Sequence, residues 1–153
     1  MLLTVPAVVL RPPQAALVAC GAKLWETRGG TFPPAHRGPL LILASANWTA
    51  ADTARLALDD VQAALRAHFG KAEVTREDLV TGGIACIAQL TDVVNPATDA
   101  PVEDKPREVA FGGQFTAAHF ALRLESPRLP NYQHPVHGQN GFFPARIPND
   151  LFA

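Results

Sequence analysis

The sequence of 153 residues has few of the features that mark specialised classes of protein. It contains only two cysteines, Cys20 and Cys86, too few for the disulfide framework of a small secreted domain. We expect both to be buried free thiols in a cytoplasmic protein. No apolar run approaches the roughly 20 residues of a membrane-spanning helix, so we expect no membrane contact. The 13 basic and 14 acidic residues give a net charge of −1, so nucleic-acid binding would have to depend on a local group of cations.

What the sequence does contain is typical of a globular domain. Hydrophobic residues make up 48% and charged residues 18% of the chain, and its length is sufficient for a sizeable core. The 14 prolines and 11 glycines predict many short elements joined by turns. We therefore predict a single domain over residues 1–153.

The N-terminal third predicts a helix and three strands, one of which is a short strand over residues 25–28. Residues 5–11 are rich in β-branched side chains and predict a strand, and the proline pair that follows suits the first turn of a helix. That helix would run to Cys20 and end at Gly21 in the left-handed conformation. The apolar residues 40–44 predict a fully buried strand.

One long helix is predicted after this strand. Thr49 is a suitable N-cap, and Asp52 favours the first turn. Gly70 would end the helix. Apolar residues recur at intervals of three and four and predict one buried stripe: Ala54, Leu58, Val61, Leu65 and Phe69.

Two further strands are predicted over residues 84–94 and 115–125, and the polar residues 95–113 between them predict a mobile loop. The mixed order of helices and strands indicates an α+β fold. The simplest packing is a small mixed β-barrel with two flanking helices.

Charged residues are concentrated directly after the first helix. Lys23, Glu26 and Arg28 lie within six residues, and Arg37 precedes the next strand. In a strand, Glu26 and Arg28 point to the same face. A carboxylate among three cations stays ionised and holds them in place, and the remaining positive charge can bind a phosphate. The alternative is a structural salt bridge between Glu26 and Arg28, with Lys23 exposed to solvent.

Aromatic and histidine side chains are the other candidates for a site. Trp25 and Trp48 flank the charged residues, and either ring could stack on a base, although core packing is the simpler role for Trp25. His119 is expected to be a partly buried, hydrogen-bonded histidine. His134 and His137 have the spacing of metal ligands but no acidic or cysteine partner nearby, so we expect no metal or cofactor.

One motif and four longer segments are similar to a known family. The motif is Gly21-Ala22-Lys23 followed by Glu26-Thr27-Arg28, and the segments are residues 11–17, 36–45, 82–92 and 138–143. Together they resemble the ASCH domain (activating signal cointegrator-1 homology) of the PUA-like superfamily, whose signature is Gly-x-Lys-x-x-Glu-x-Arg. Gln14 stands where that family usually has a tryptophan.

The resemblance implies a PUA-like β-barrel with flanking helices and an association with RNA. Some small relatives are hydrolases that remove the acetyl group from N4-acetylcytidine by means of a lysine, a threonine and a separate glutamate. Lys23 occupies the lysine position here, whereas Glu26 occupies that of the threonine. Ribonuclease activity has also been suggested for members of the family.

Three functions therefore stay open on the sequence. We expect binding of RNA or a nucleotide-like ligand in a cleft lined by Lys23, Glu26, Arg28 and Arg37, with Lys23 as the main contact to a phosphate or carbonyl group. The first alternative is a small hydrolase acting on a modified nucleoside or on single-stranded RNA, with Lys23 polarising the attacked group and Glu26 as the acid/base. The second is a protein-interaction module in which the charged residues are purely structural.

Overall fold

The computed structural model describes residues 1–30, 33–95, 102–116 and 118–153. The strands in these ranges are β1 (Leu2–Leu10), β2 (Trp25–Gly29), β3 (Gly38–Ala44), β4 (Gly83–Val94), β5 (His119–Arg128) and β6 (Phe143–Pro148). The helices are α1 (Pro12–Ala19), α2 (Ala50–Leu56), α3 (Asp59–Phe69) and α4 (Lys105–Ala110). Within the same ranges, no helix combines the length and the apolar composition that crossing a membrane requires.

The strands form one sheet in the order β2-β5-β4-β3-β1-β6. β1 and β3 run parallel, and the other neighbouring pairs are antiparallel. This arrangement confirms the α+β class. The sheet is open over the described residues, with β2 and β6 at its edges, so it is not closed into the predicted barrel. Four helices accompany it in the described ranges, where the sequence predicted two.

Helix α1 lies against the sheet, and its ends are built as the sequence predicts. The two prolines occupy its first positions, where a missing N–H costs no hydrogen bond. Gly21 follows the helix with a φ of +81°, which suits glycine best. Apolar side chains of α1 and of the central strands form the largest core cluster, which includes Val8, Ala15, Val18, Ile42, Cys86 and Leu122.

The single long helix predicted after β3 is in fact two helices. The predicted N-cap is present, because Thr49 and Asp52 form a capping box in which each side chain bonds the other residue's backbone N–H. The chain leaves helical geometry at Leu58, whose ψ is 139°. Helix α3 then starts with Asp59 and Asp60, and carboxylates are favourable in the first turn of a helix.

This break changes which side chains are buried. Val61 and Leu65 are in the core as predicted. Ala54, Leu58 and Phe69 are exposed, so the predicted continuous stripe is wrong. The interruption rotates the two helical segments relative to each other, and the 3.6-residue period does not carry across it.

The segment predicted as a mobile loop, residues 95–113, contains helix α4. Residues 96–101 of that segment lie outside the described residues. In the remainder, Glu108 and Phe111 are buried, the latter completely. The predicted strand at residues 115–125 begins later, at His119, and extends to Arg128.

Candidate functional site

A cleft lies where β1 and β2 approach each other without pairing. Three strands separate them in the sheet order, so the curvature of the sheet brings them together. Nη1 of Arg28 on β2 is 3.5 Å from the carbonyl oxygen of Val9 on β1. We call this space the arginine cleft; its volume is about 310 Å³, and its lining includes Val9, Arg11, Gln14, Glu26, Arg28 and His119.

Glu26 and Arg28 form one wall of the arginine cleft. Nη1 of Arg28 is also 3.5 Å from Oε2 of Glu26. The Glu26 carboxylate is nearly buried, whereas 26% of the Arg28 side chain is exposed. Within the described residues, Nε and Nη2 of Arg28 donate no hydrogen bond. These groups are therefore available to an anion in the cleft.

Lys23 lies close to Glu26 and is only 1% exposed. The backbone N–H groups of Ala22 and Lys23 both donate to the carbonyl of Leu17, which fixes the turn between α1 and β2. Nζ of Lys23 is 4.0 Å from Oε1 of Glu26 and 4.0 Å from Oε1 of Glu108. No hydrogen-bond partner for this Nζ is present in the part of the chain that the structure describes. The structural alternative expected Lys23 to be exposed to solvent, whereas its side chain is buried.

Glu108, on α4, completes this buried cluster. Its Oε2 accepts the backbone N–H of Leu24 at 3.0 Å, and its Oε1 accepts that of Trp25 at 3.3 Å. These N–H groups lie at the start of the edge strand β2, where no further strand supplies an acceptor. A buried carboxylate therefore fixes α4 to β2 and places a second negative group beside Lys23.

Burial shifts the pKa of all three charged groups toward their neutral forms. It lowers the pKa of Lys23 more than the Glu26 and Glu108 carboxylates raise it. It raises the pKa of Glu26 more than Lys23 and Arg28 lower it. It also raises the pKa of Glu108, more than the backbone N–H of Leu24 and the charge of Lys23 lower it. Groups with shifted pKa values beside a cleft are typical of functional sites.

Arg11 borders the arginine cleft but is already paired. Its Nε donates to Oδ1 of Asp52 at 3.1 Å, and its Nη2 donates to Oδ2 of the same residue. Its Nη1 donates to Oγ of Ser45 at 3.3 Å. Arg11 therefore connects the end of β1 to the loop after β3, and Asp52 balances its charge.

Neutral polar groups line the rest of the cleft. Oε1 of Gln14 is buried and has no hydrogen-bond partner among the described residues. Gly112 has a φ of +104°, and a Cβ at this position would lie 2.6 Å from Nε2 of Gln14, so glycine is required. The backbone N–H of Gln114 donates to Oγ1 of Thr27 at 2.8 Å, which holds the chain after α4 against β2.

Only Glu26 and Arg28 of the six predicted site residues line the arginine cleft. Lys23 does not line it as predicted, because its side chain is buried next to Glu26. The other three lie elsewhere. Trp25 is buried, and its indole N–H donates to Glu103 at 3.1 Å. The indole N–H of Trp48 donates to Thr53 at 2.9 Å. Arg37 is exposed and donates to two carbonyl groups of its own loop. Each of the three is a described residue, and none lines the arginine cleft.

Sequence reasoning missed several residues that the fold brings to the site. Glu108 contacts Trp25 across 83 residues of chain, and no local pattern marks it. Arg11 and Gln14 flank the proline pair. That pattern predicts the start of a helix and gives no sign of a ligand-binding site. His119 is half-buried and hydrogen-bonded to Thr116 at 2.8 Å, as predicted, but it also lines the cleft.

Comparisons with known proteins assign no family to this chain, so the class of protein is described from its fold and its site. No protein-family model matches the sequence, and no curated protein matches it. Among the described residues, no group of three or more histidine, cysteine or acidic side chains could hold a metal ion. The structure thus defines an α+β protein with a mixed six-stranded sheet and a polar cleft. In that cleft Arg28 can bind an anion, Gln14 can hydrogen-bond a neutral group, and Glu26 can exchange a proton.

Proposed function

We propose that the arginine cleft binds RNA or a nucleotide-like ligand, with Arg28 on a phosphate group. The observation that carries this proposal is the position of the Arg28 guanidinium, which Glu26 and the Val9 carbonyl contact through Nη1. Its Nε and Nη2 donate no hydrogen bond to any residue that the structure describes. A guanidinium held in this way can bind two phosphate oxygens at once and loses little freedom on binding. The neutral Gln14 amide can then hydrogen-bond the sugar or the base.

The size and charge of the cleft favour a short ligand segment. A volume of about 310 Å³ is at the lower end of the range for ligand sites and suits a single nucleotide unit. Nε, Nη1 and Nη2 of Arg11 all donate hydrogen bonds, so Arg28 supplies most of the guanidinium N–H groups that a ligand in the cleft can reach. We therefore expect few phosphate contacts and a modest affinity.

The same residues support an ASCH-type, PUA-like domain, and the two free cysteines favour its action in the cytoplasm. The three charged residues of the Lys-x-x-Glu-x-Arg motif are in contact, because Lys23 and Arg28 both lie within 4.0 Å of the Glu26 carboxylate. The approach of β1 and β2 is what the closing side of a small barrel requires, although the two strands do not pair.

The binding proposal is tested by fluorescence anisotropy of a labelled single-stranded RNA at low salt. The native protein should raise the anisotropy, and Arg28→Ala should weaken binding about tenfold or more, because a hydrogen-bonded charge is lost. Arg37→Ala is the matched control, since Arg37 is an exposed arginine outside the cleft. It should bind like the native protein.

Two results would contradict this proposal. If Arg28→Ala and Arg37→Ala lose the same amount of RNA affinity, binding depends on the overall surface charge and not on the arginine cleft. No binding of RNA or of free nucleotides, with Arg28→Ala changing only the melting temperature, would support a protein-interaction module with structural charges.

A hydrolase is the second candidate, and the cluster around Lys23 favours it. Glu26 borders the cleft with a raised pKa, and the Lys23 ammonium group, which has no hydrogen-bond partner in the described ranges, lies 4.0 Å from it. In an acyl-amide substrate, the Glu26 carboxylate would take a proton from water as the water oxygen bonds to the acyl carbon. It would then return that proton to the amine as the C–N bond breaks. Lys23 is too buried to touch the substrate and would act on Glu26 through its charge.

Turnover is tested with N4-acetylcytidine and related acylated nucleosides, and with labelled RNA, in a metal-free buffer. Release of acetate or cleavage of the strand should depend on Glu26 and be abolished in Glu26→Gln, which keeps the shape of the side chain. Asp92→Asn is a control for the removal of one acidic group, because Asp92 is exposed and does not line the cleft. Equal rates for the native protein and Glu26→Gln would reject this candidate.

A further inference from the structure

A second cleft lies on the other side of Val9. It has a volume of about 450 Å³, and its lining includes Val9, Ser45, Ala46, His137, Gly138 and Asn140. We call it the amide cleft. Val9 lines both clefts, and the hydrogen bond from Arg11 to Ser45 joins a residue of one to a residue of the other. The two clefts are therefore neighbours along the C-terminal end of β1.

The amide cleft differs in chemistry from the arginine cleft. No lysine, arginine, aspartate or glutamate is among its described lining residues. Its apolar surface comes from Val9, Leu43 and Val136. The side chains of His137 and Asn140 are exposed and make no hydrogen bond within the described residues. This combination suits a flat, uncharged ring with polar edges better than it suits a phosphate.

Small residues keep the amide cleft open. A Cβ on Gly138 would lie 3.1 Å from Cγ2 of Val9, so the loop before β6 lies tightly on β1. Gly82 has a φ of +65°, and its N–H donates to the carbonyls of Ala44 and Ser45. Because backbone and methyl groups form these walls, a planar ring can approach them closely.

From these observations we propose that the amide cleft holds the nucleobase next to the nucleotide that Arg28 binds, so that the ligand is an oligonucleotide segment of at least two nucleotides. This inference rests on the proposed binding at the arginine cleft. Asn140 would hydrogen-bond the edge of the base, and the imidazole of His137 would stack on its face. The strand would cross Val9 between the two clefts.

The test compares two ligands that carry the same number of phosphates. Adenosine 3′,5′-bisphosphate has one nucleoside, and the 5′-phosphorylated dinucleotide pApA has two. Titration calorimetry with both, repeated for the other three bases, measures what the second nucleoside contributes. We expect the dinucleotide to bind about tenfold more tightly for at least one base, since a stacked base contributes on that scale.

Variants of the amide cleft test whether the additional affinity of the dinucleotide arises there. Ala46→Phe fills the amide cleft from an exposed position, and Asn140→Ala removes its amide. Both should reduce dinucleotide affinity to that of the bisphosphate and leave the bisphosphate affinity unchanged. His137→Ala should act in the same direction, with His68→Ala, an exposed histidine on α3, as its control. Melting temperatures verify that each variant is folded.

The outcomes separate this inference from the proposed function. If the bisphosphate binds in an Arg28-dependent manner but no dinucleotide exceeds it, the amide cleft is not a base site and the proposed function stands. A dinucleotide advantage that survives both Ala46→Phe and Asn140→Ala also overturns the inference. If neither ligand binds, the proposed function itself fails, and the inference fails with it.

Discussion

Arg28 joins β2 to β1 through a 3.5 Å contact between its Nη1 and the carbonyl oxygen of Val9, although the two strands do not pair. The same nitrogen is 3.5 Å from Glu26, so one guanidinium connects a carboxylate, a backbone carbonyl and the open cleft. Curvature of the sheet thus creates both the cleft and the means of holding its cation in place. Four predictions follow from this site and from the contacts around it.

The first prediction concerns Lys23, which separates two buried carboxylates. Lys23→Met keeps the volume but removes the positive charge that lies between Glu26 and Glu108, and leaves Glu26 with Arg28 alone. This should lower the free energy of unfolding by about 3 kcal/mol at pH 8. Both carboxyl groups already have raised pKa values, and losing the lysine raises them further. A group whose pKa is raised in the folded state contributes its full stability at a pH below its unfolded pKa. The fold loses that stability as the pH rises through the folded pKa. The loss should therefore be smaller at pH 5.

Urea unfolding at pH 5 and pH 8 measures this difference. Lys23→Met combined with Glu108→Gln should recover part of the loss at pH 8, because one of the unpaired charges is removed. A loss that is the same at both pH values would show that the methionine fits the site poorly and that charge is not the cause.

Asp52 should control part of the acid sensitivity of the fold. Burial raises the pKa of Asp52, but hydrogen bonds from Arg11 and Thr49 exceed that effect and lower it below the ordinary value of 3.8. A group whose pKa is lowered in the folded state stabilises the fold at a pH above its unfolded pKa. This contribution is lost as the pH falls through the folded pKa. Melting temperatures should thus fall for the native protein below about pH 4.

The matched variant for this prediction is Asp52→Asn. It should melt at a lower temperature than the native protein at pH 7 and show a smaller further decrease below pH 4. Asp60→Asn serves as the control, since Asp60 is an exposed carboxylate in the first turn of α3. An equally steep acid decrease in native protein and Asp52→Asn would contradict the assignment to Asp52.

The two thiols should differ in reactivity. Burial raises the pKa of Cys86 to about 12, so only about one molecule in ten thousand carries its thiolate at pH 8. Cys20 is half-buried, its Sγ donates to the carbonyl of Leu17 at 3.4 Å, and burial raises its pKa as well. Reaction of the native protein with Ellman's reagent should be slow and limited to Cys20. Cys20→Ser should then show no reaction until the protein is unfolded, and a reactive thiol in the folded variant would contradict this picture.

The salt dependence of RNA binding should be shallow. Each phosphate neutralised on a single strand contributes a slope of about −0.7 to a plot of log affinity against log salt concentration. With Arg28 as the main available cation, the slope should lie near −0.7 and approach zero in Arg28→Ala. Affinities measured over a series of salt concentrations would give this slope. A slope of about −3 or steeper would indicate a wider basic surface.

The sequence alone determined those features that depend on neighbouring residues. The strand, proline pair, helix and left-handed Gly21 at the N-terminus are where the pattern predicts them, because the proline ring and glycine restrict or extend backbone angles locally. The capping box at Thr49 is also correct, since it involves residues only three positions apart. The shared face of Glu26 and Arg28 follows from strand geometry.

Tertiary structure decided what depends on residues far apart in the chain. Glu108 reaches Lys23 only because α4 lies against the edge of β2, and no period in the sequence records that contact. Arg37 and Trp48 follow the motif in sequence but do not line the cleft, and nearness in sequence therefore did not predict the site. The cleft itself results from sheet curvature, which brings β1 and β2 together across three intervening strands. Local backbone preferences determine where the helices and strands form. The position of the site depends on the twist of the sheet and on the packing of α4 against its edge strand.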